Sequence, residues 1–242
     1  MRVPSVVRRL GVTAAILFFV ATVLLLVDRL NLVYRPPDIP ETSNLVDRMV
    51  AQIPYRHDIW PIFFASNFLF GVGFVVFAGL ALVLASRIEA ADPSRHLLLW
   101  TLGTAGLLGA VAQLVLVGAV HVTIDNPYCD CGFRDTEIVS QLWAQMLVEG
   151  AHLWLINGAS LLAAGGAAIA GRVFAGRGMP QTWSVLSYLL AGLLVLAVVL
   201  GLIGQFDAAE WLSVAVTGIV IPAWALWLGL SFDDTGRVEA TG

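Results

Sequence analysis

The chain has 242 residues, 59% of them hydrophobic and 12% charged, with a mean hydropathy of +0.86. A soluble domain averages about 45–50% apolar and about 25% charged residues, so the composition belongs to a membrane protein whose first partner is the lipid bilayer. The formal net charge is −4 and all 13 basic residues are Arg, with no basic block able to neutralise several phosphates, so nucleic acid is not an expected partner.

Crossing roughly 30 Å of hydrocarbon takes about 20 apolar residues in a helix. Six stretches qualify: about 10–27, 60–85, 98–120, 149–171, 183–204 and 211–230. The expected fold is all-α, a polytopic transmembrane helical bundle of six spans forming one domain over residues 1–242. Its outer loops cover 28–59 and 121–148. No room is left for a separate soluble catalytic domain.

The opening "MRVPSVVRRL" and its apolar run imitate a signal peptide but exit into "VDRLNLVYR" without a small-x-small cleavage pattern, which predicts a retained first helix. Basic residues collect on cytoplasmic flanks. With the N-terminus inside, Arg2, Arg8, Arg9, Arg87, Arg95, Arg172, Arg177 and Arg237 are cytoplasmic, and Arg29, Arg35, Arg48, Arg56 and Arg134 are outside. Both termini are therefore expected in the cytoplasm.

Between the first two spans, the stiff "RPPDIP" leads into Leu45, Val46, Met49, Val50 and Ile53 at helical spacing. Asn44 is placed to cap that helix and Pro54 to stop it, which predicts a short helix on the outer membrane surface. Trp60, Trp100, Trp183 and Trp211 each begin a span, where an indole suits headgroup depth. Asn67 and Gln113, inside the second and third spans, and Gln145, ahead of the fourth, are candidate polar contacts within the bundle.

The third span pairs Ala105 with Gly109 and Gly106 with Ala110. The fourth carries Gly158, Ala159, Ala163, Gly166, Ala167 and Gly171. Small residues on one face let helices approach closely, so these two spans are expected near the bundle centre. Between them lies "HVTIDNPYCDCGFRDTEIV", rich in turn residues and holding both cysteines, Cys129 and Cys131. A bridge across the single intervening residue would be strained. In the sixth span, Pro222 is expected to kink the helix.

The segment "QLWAQMLVEGAHLWLING" carries Gln141, Gln145, Glu149 and His152 within an arc of about 80° on a helix. Counting back about 20 residues from Arg172 puts His152 near the outer boundary. The helix is thus expected to begin before the membrane does. At the same outer level lie His57 and His121, which flank spans, and the two cysteines. Imidazole, thiolate and carboxylate together are the ligand set of zinc or copper, and histidines also hold haem iron. His121, Cys129, Cys131, Glu149 and His152 are therefore the candidate outer-face site, and the thiols alone allow a redox variant.

The run "GAHLWLINGASLLAAGGAAIAGRVFAGRGMPQTWSVLSYLLAGLLVL", with its Arg-flanked "RGMPQTW" turn, resembles bacterial six-helix membrane families of unknown function. The resemblance implies the bacterial cytoplasmic membrane and carries over no activity and no site residue. No charge sits at the centre of a span, as ion-coupled transport would require. There is no G-x-S-x-G elbow, no H-E-x-x-H helix and no phosphate loop. The sequence favours a non-enzymatic binding or interaction subunit that meets a protein partner or a lipid-like ligand. The alternative is a metal-dependent or thiol redox protein with its site at the outer mouth, and the third reading is a small-molecule transporter.

Overall fold

The computed structural model describes residues 6–34, 45–125, 135–175 and 179–231; over 45–57, 119–125 and 135–146 the description covers the backbone alone. Among the described residues every regular element is helical: α1 (Val6–Arg29), α2 (Leu45–Ser86), α3 (Pro93–Leu98), α4 (Thr104–Asp125), α5 (Asp135–Ala175), α6 (Gln181–Leu202), α7 (Phe206–Ala215) and α8 (Ile221–Ser231). A π-helical stretch, Leu99–Gly103, joins α3 to α4, and a second, Val216–Val220, joins α7 to α8. Six of the resulting stretches are long and apolar enough to cross a membrane: Val6–Arg29, Asp58–Ser86, Pro93–Gly118, Leu147–Ala175, Gln181–Leu202 and Phe206–Ser231. That is the make-up of a multi-pass membrane protein.

Local chemistry sets the helix ends. Asp92 accepts a hydrogen bond from the backbone N–H of Ser94 at 2.9 Å, with Pro93 at the first helical position, so α3 is capped and started by adjacent residues. α1 ends on Asn31 at φ 51°, and α6 ends on Gly204 at φ 81°. At Gly204 the N–H of Gln205 reaches the carbonyl of Leu200 and the N–H of Gly204 reaches that of Gly201, the two bonds of a left-handed helix stop.

Two expectations about boundaries are corrected. Pro54 does not end a helix, and residues 45–53 are not a separate surface element: α2 is one helix of 42 residues that runs through both Pro54 and Pro61. Each proline removes one backbone N–H, while the apolar turns on either side keep theirs and hold the helix together. Ahead of Pro222 the backbone is π-helical over Val216–Val220. Pro222 has no N–H to offer the preceding turn, and a widened turn redistributes the carbonyls left over.

α5 is one helix of 41 residues from Asp135, so the backbone of the segment that carries Gln141, Gln145, Glu149 and His152 is helical throughout. At 1.5 Å per residue α2 and α5 are each roughly 60 Å long, about twice the thickness of a bilayer core.

The helices form a ring in chain order. α1 packs on α2, α2 on α4, α4 on α5, α5 on α6 and α6 on α7, and α8 returns to α1. The third and fourth spans are therefore wall segments of this ring and not its centre. Their small residues act at the walls: Gly106 lies under the Phe74 carbonyl and Ala78 of α2, and Gly171 lies against Ser187 of α6. The ring closes through Gly11 of α1, where an added Cβ would come within 2.5 Å of the Ala225 carbonyl of α8.

Side chains fill the ring at the end nearest Arg8 and Arg172. Trp183 and Trp224, both 0% exposed, stack with ring centroids 5.5 Å apart; Phe77 and Phe174 flank them. Trp183 is thus a core residue and not a headgroup anchor. Its indole N–H has a partner inside the bundle, the Trp224 carbonyl at 3.4 Å, so it gains nothing by reaching water. Trp100 and Trp211, by contrast, are exposed.

Candidate functional site

Towards the other end, where Arg29, Asp58 and Glu210 lie, the ring opens into a cavity of about 540 Å³ walled by all six spans. One face of α2 builds much of the wall. Phe63, Asn67, Phe70, Phe74 and Phe77 line the cavity, and their spacing keeps them within an arc of about 80° on the helix. Phe18 of α1, itself fully buried, meets Phe74 edge-on at 5.1 Å and Phe77 at 6.4 Å, so a packed phenyl cluster closes the deep end.

Polar groups enter from several walls. Gln113 of α4 is 7% exposed and lines the cavity, and its Oε1 has no hydrogen-bond partner. Among the described residues, Thr22 Oγ1 and Ser184 Oγ share that lack, but neither residue lines the cavity. Oε1 is itself shut off from solvent, and a buried polar atom without a partner costs about 1–3 kcal/mol. Asn67 donates its amide N–H to the Phe63 carbonyl at 2.8 Å.

His152 of α5 sits beside Gln113 in the cavity wall, with Nδ1 at 2.9 Å from the Ala112 carbonyl of α4. A carbonyl only accepts, so Nδ1 carries the proton, and in the neutral ring Nε2 is the acceptor. This contact ties α5 to α4 at the level of Gln113. Ser160, Ser213 and Thr217, also in the lining, each donate their hydroxyl proton to a carbonyl of their own helix at 2.8 Å, which leaves their oxygens as acceptors.

Arg29 at the end of α1 pairs with Glu210 of α7 at 2.7 Å, and both line the cavity beside Asp28. These charges lie at the mouth. On α5, His152, Leu153, Trp154, Ile156 and Asn157 all line the cavity. Such a run covers more than one face of a helix, so the cavity reaches round the side of α5 as well as behind it.

Of the residues singled out in the sequence, the structure brings Asn67, Gln113 and His152 to one cavity. Glu149 is an exposed residue one turn before His152 and does not line it. Cys129 and Cys131, and the side chains of His57, His121, Gln141 and Gln145, lie outside the described residues. Among the described residues no three His, Cys, Asp or Glu side chains come together as metal ligands would. Sequence reasoning missed the phenylalanine face of α2, which its spacing would have revealed. It also missed Asn157 and the Arg29–Glu210 pair, which nothing in the sequence marks.

No family model matches the chain, and comparison with curated proteins and with solved structures finds no match.

Proposed function

We propose that this protein is a non-enzymatic binding subunit of the bacterial cytoplasmic membrane, holding a lipid-like ligand in the cavity of its helix ring. The observation that carries the reading is the cavity itself. Its size falls within the range of about 300–1,000 Å³ typical of small-molecule sites, and its wall is apolar with a few polar groups converging on it. All six spans contribute, so the ring as a whole is the binding element. On the orientation favoured by the Arg distribution, both termini are cytoplasmic and the mouth faces outwards.

The test is to purify the protein in mild detergent, extract it with organic solvent and identify bound molecules by mass spectrometry, beside an Ala163→Trp variant. Ala163 lines the cavity, and an indole there fills it. The expected result is an apolar molecule that copurifies with the wild type and is lost from the folded variant. An identical extract from both proteins would overturn the reading.

A further inference from the structure

The sixth span changes neighbours half-way along. α8 packs chiefly on α1, and the π-helical stretch Val216–Val220 also packs on α1, whereas α7 packs on α6. A π-helical turn with Pro222 at its foot is where a helix can change direction. At Gly218 the span still touches α1, since an added Cβ would come within 2.5 Å of the Thr22 side chain. Nearer the mouth the tie is the Arg29–Glu210 ion pair, at 2.7 Å. Thr22, Leu25 and Arg29 share one face of α1, and Gly218, Val214 and Glu210 share one face of the sixth span. The two ties are about 10 Å apart along the helices, with Leu25 and Val214 between them. Both of these line the cavity and are half-buried.

α7 is loosely held. None of its residues is buried, and Phe206, Ala209, Glu210, Ser213 and Val214 turn to the cavity. Segments with so few buried contacts are the ones that open first. On the outside of the same helices Val23 and Ile219 are exposed, which in a bilayer sets hydrocarbon against the junction of α1 with α7. A lipid chain crossing there exchanges one apolar surrounding for another and desolvates no polar group. Its head group stays at the level of Arg29 and Glu210, which offer charges of both signs. We propose that this junction is a lateral entrance through which the cavity takes one hydrocarbon chain of a phospholipid from the surrounding membrane, α7 being the part of the wall that yields. The inference rests on the cavity as a site for a lipid-like ligand, and names that ligand as a lipid of the bilayer itself.

The experiment reconstitutes the protein in vesicles of phosphatidylcholine that carries a diazirine near the end of one acyl chain, photolyses them and maps the insertion sites by mass spectrometry. Ile156 and Ser160 line the cavity on α5, and the exposed Leu114 of α4 reports contact with lipid outside. The expected result is insertion at Ile156 or Ser160 as well as at Leu114. A Leu25→Cys/Val214→Cys pair in a Cys129→Ser/Cys131→Ser background is then bridged with a bifunctional methanethiosulfonate before reconstitution. Bridging should abolish insertion at Ile156 and Ser160 and leave that at Leu114. Reduction should restore it, and a monofunctional reagent on the same cysteines should leave it unchanged. Insertion at Leu114 alone in the unbridged protein would overturn the inference, and an apolar molecule in the solvent extract would then still support ligand binding. Cavity insertion that persists after bridging would place the entrance elsewhere, as past Trp154, and overturn the junction. Loss with the monofunctional reagent would trace the effect to filling and not to closure, and would overturn it too. Cysteines that no reagent bridges would show that α1 and α7 do not face one another there, with the same consequence.

Discussion

The indole N–H of Trp224 donates to Ser187 Oγ at 2.8 Å, and that same oxygen donates its own proton to the Trp183 carbonyl at 3.0 Å. With Trp183 Nε1 directed at the Trp224 carbonyl, α6 and α8 are tied by a closed set of hydrogen bonds beneath the cavity. All three side chains are fully buried. In an apolar surrounding, breaking one member strands another. Ser187→Ala should therefore destabilise the protein by about 1–3 kcal/mol, read as a lowered midpoint of thermal unfolding in detergent. Trp224→Phe should lose ring packing area as well as its donor and fall further. A midpoint unchanged by both would show that the network adds nothing to stability.

The closure of the ring depends on Gly11. A methyl group there would meet backbone atoms of Ala225 and Gly229, which no side-chain rotation can move aside. Gly11→Leu is expected to part α1 from α8 and to lower both thermal stability and the yield of monodisperse protein. Gly79 and Gly192 have nothing within 4 Å of the equivalent position. Gly79→Ala and Gly192→Ala, in helix interiors, should be neutral or gain up to about 1 kcal/mol. The contrast between these sites and Gly11 is the check, measured by the same unfolding assay.

Gly204 has open space around it yet holds a φ of 81°. Substitution there is penalised by the backbone alone. Gly204→Ala should cost about 1–2 kcal/mol, and Gly204→Asn less, because Asn tolerates the left-handed region better. Equal losses for the two would show that conformation at this turn is not what limits it.

Topology is open to direct measurement. A reporter that is fluorescent only in the cytoplasm, fused after Gly242, is expected to glow in bacterial cells. An alkaline phosphatase fusion at the same position should stay inactive. The reverse pattern would invert the orientation and turn the cavity mouth to the cytoplasm. That result would redirect the search for a ligand to the inner leaflet.

The number and approximate limits of the spans are legible in the sequence, because hydrocarbon demands long runs of apolar residues and the chain supplies six. Asn67 and Gln113 could be marked as well, since an amide inside such a run is unusual enough to need a partner. The ring was not legible. In a soluble helix the buried face is greasier than the exposed one, but here both faces are apolar: Leu114 is exposed while Ala112 is fully buried. Hydropathy therefore says nothing about which side faces inwards. Trp183 was misplaced for the same reason, since an indole at the start of a span suits the headgroups and the core alike. His152 was marked for its alignment with Glu149, but its observed contact is with the Ala112 carbonyl on a neighbouring helix, which no spacing along its own helix encodes.

Because the helices stand round the ring in the order in which they are made, each span leaving the ribosome meets its structural neighbour already in place. Each successive pair up to α6 on α7 is a hairpin between consecutive segments, whose loops cost little to close. The last seam, α8 on α1, joins the first span to the sixth and waits until α8 has been made. Until then the ring is an open arc and its cavity a groove open along that seam, so an apolar ligand of the kind proposed would have a route in that needs no passage through the finished wall.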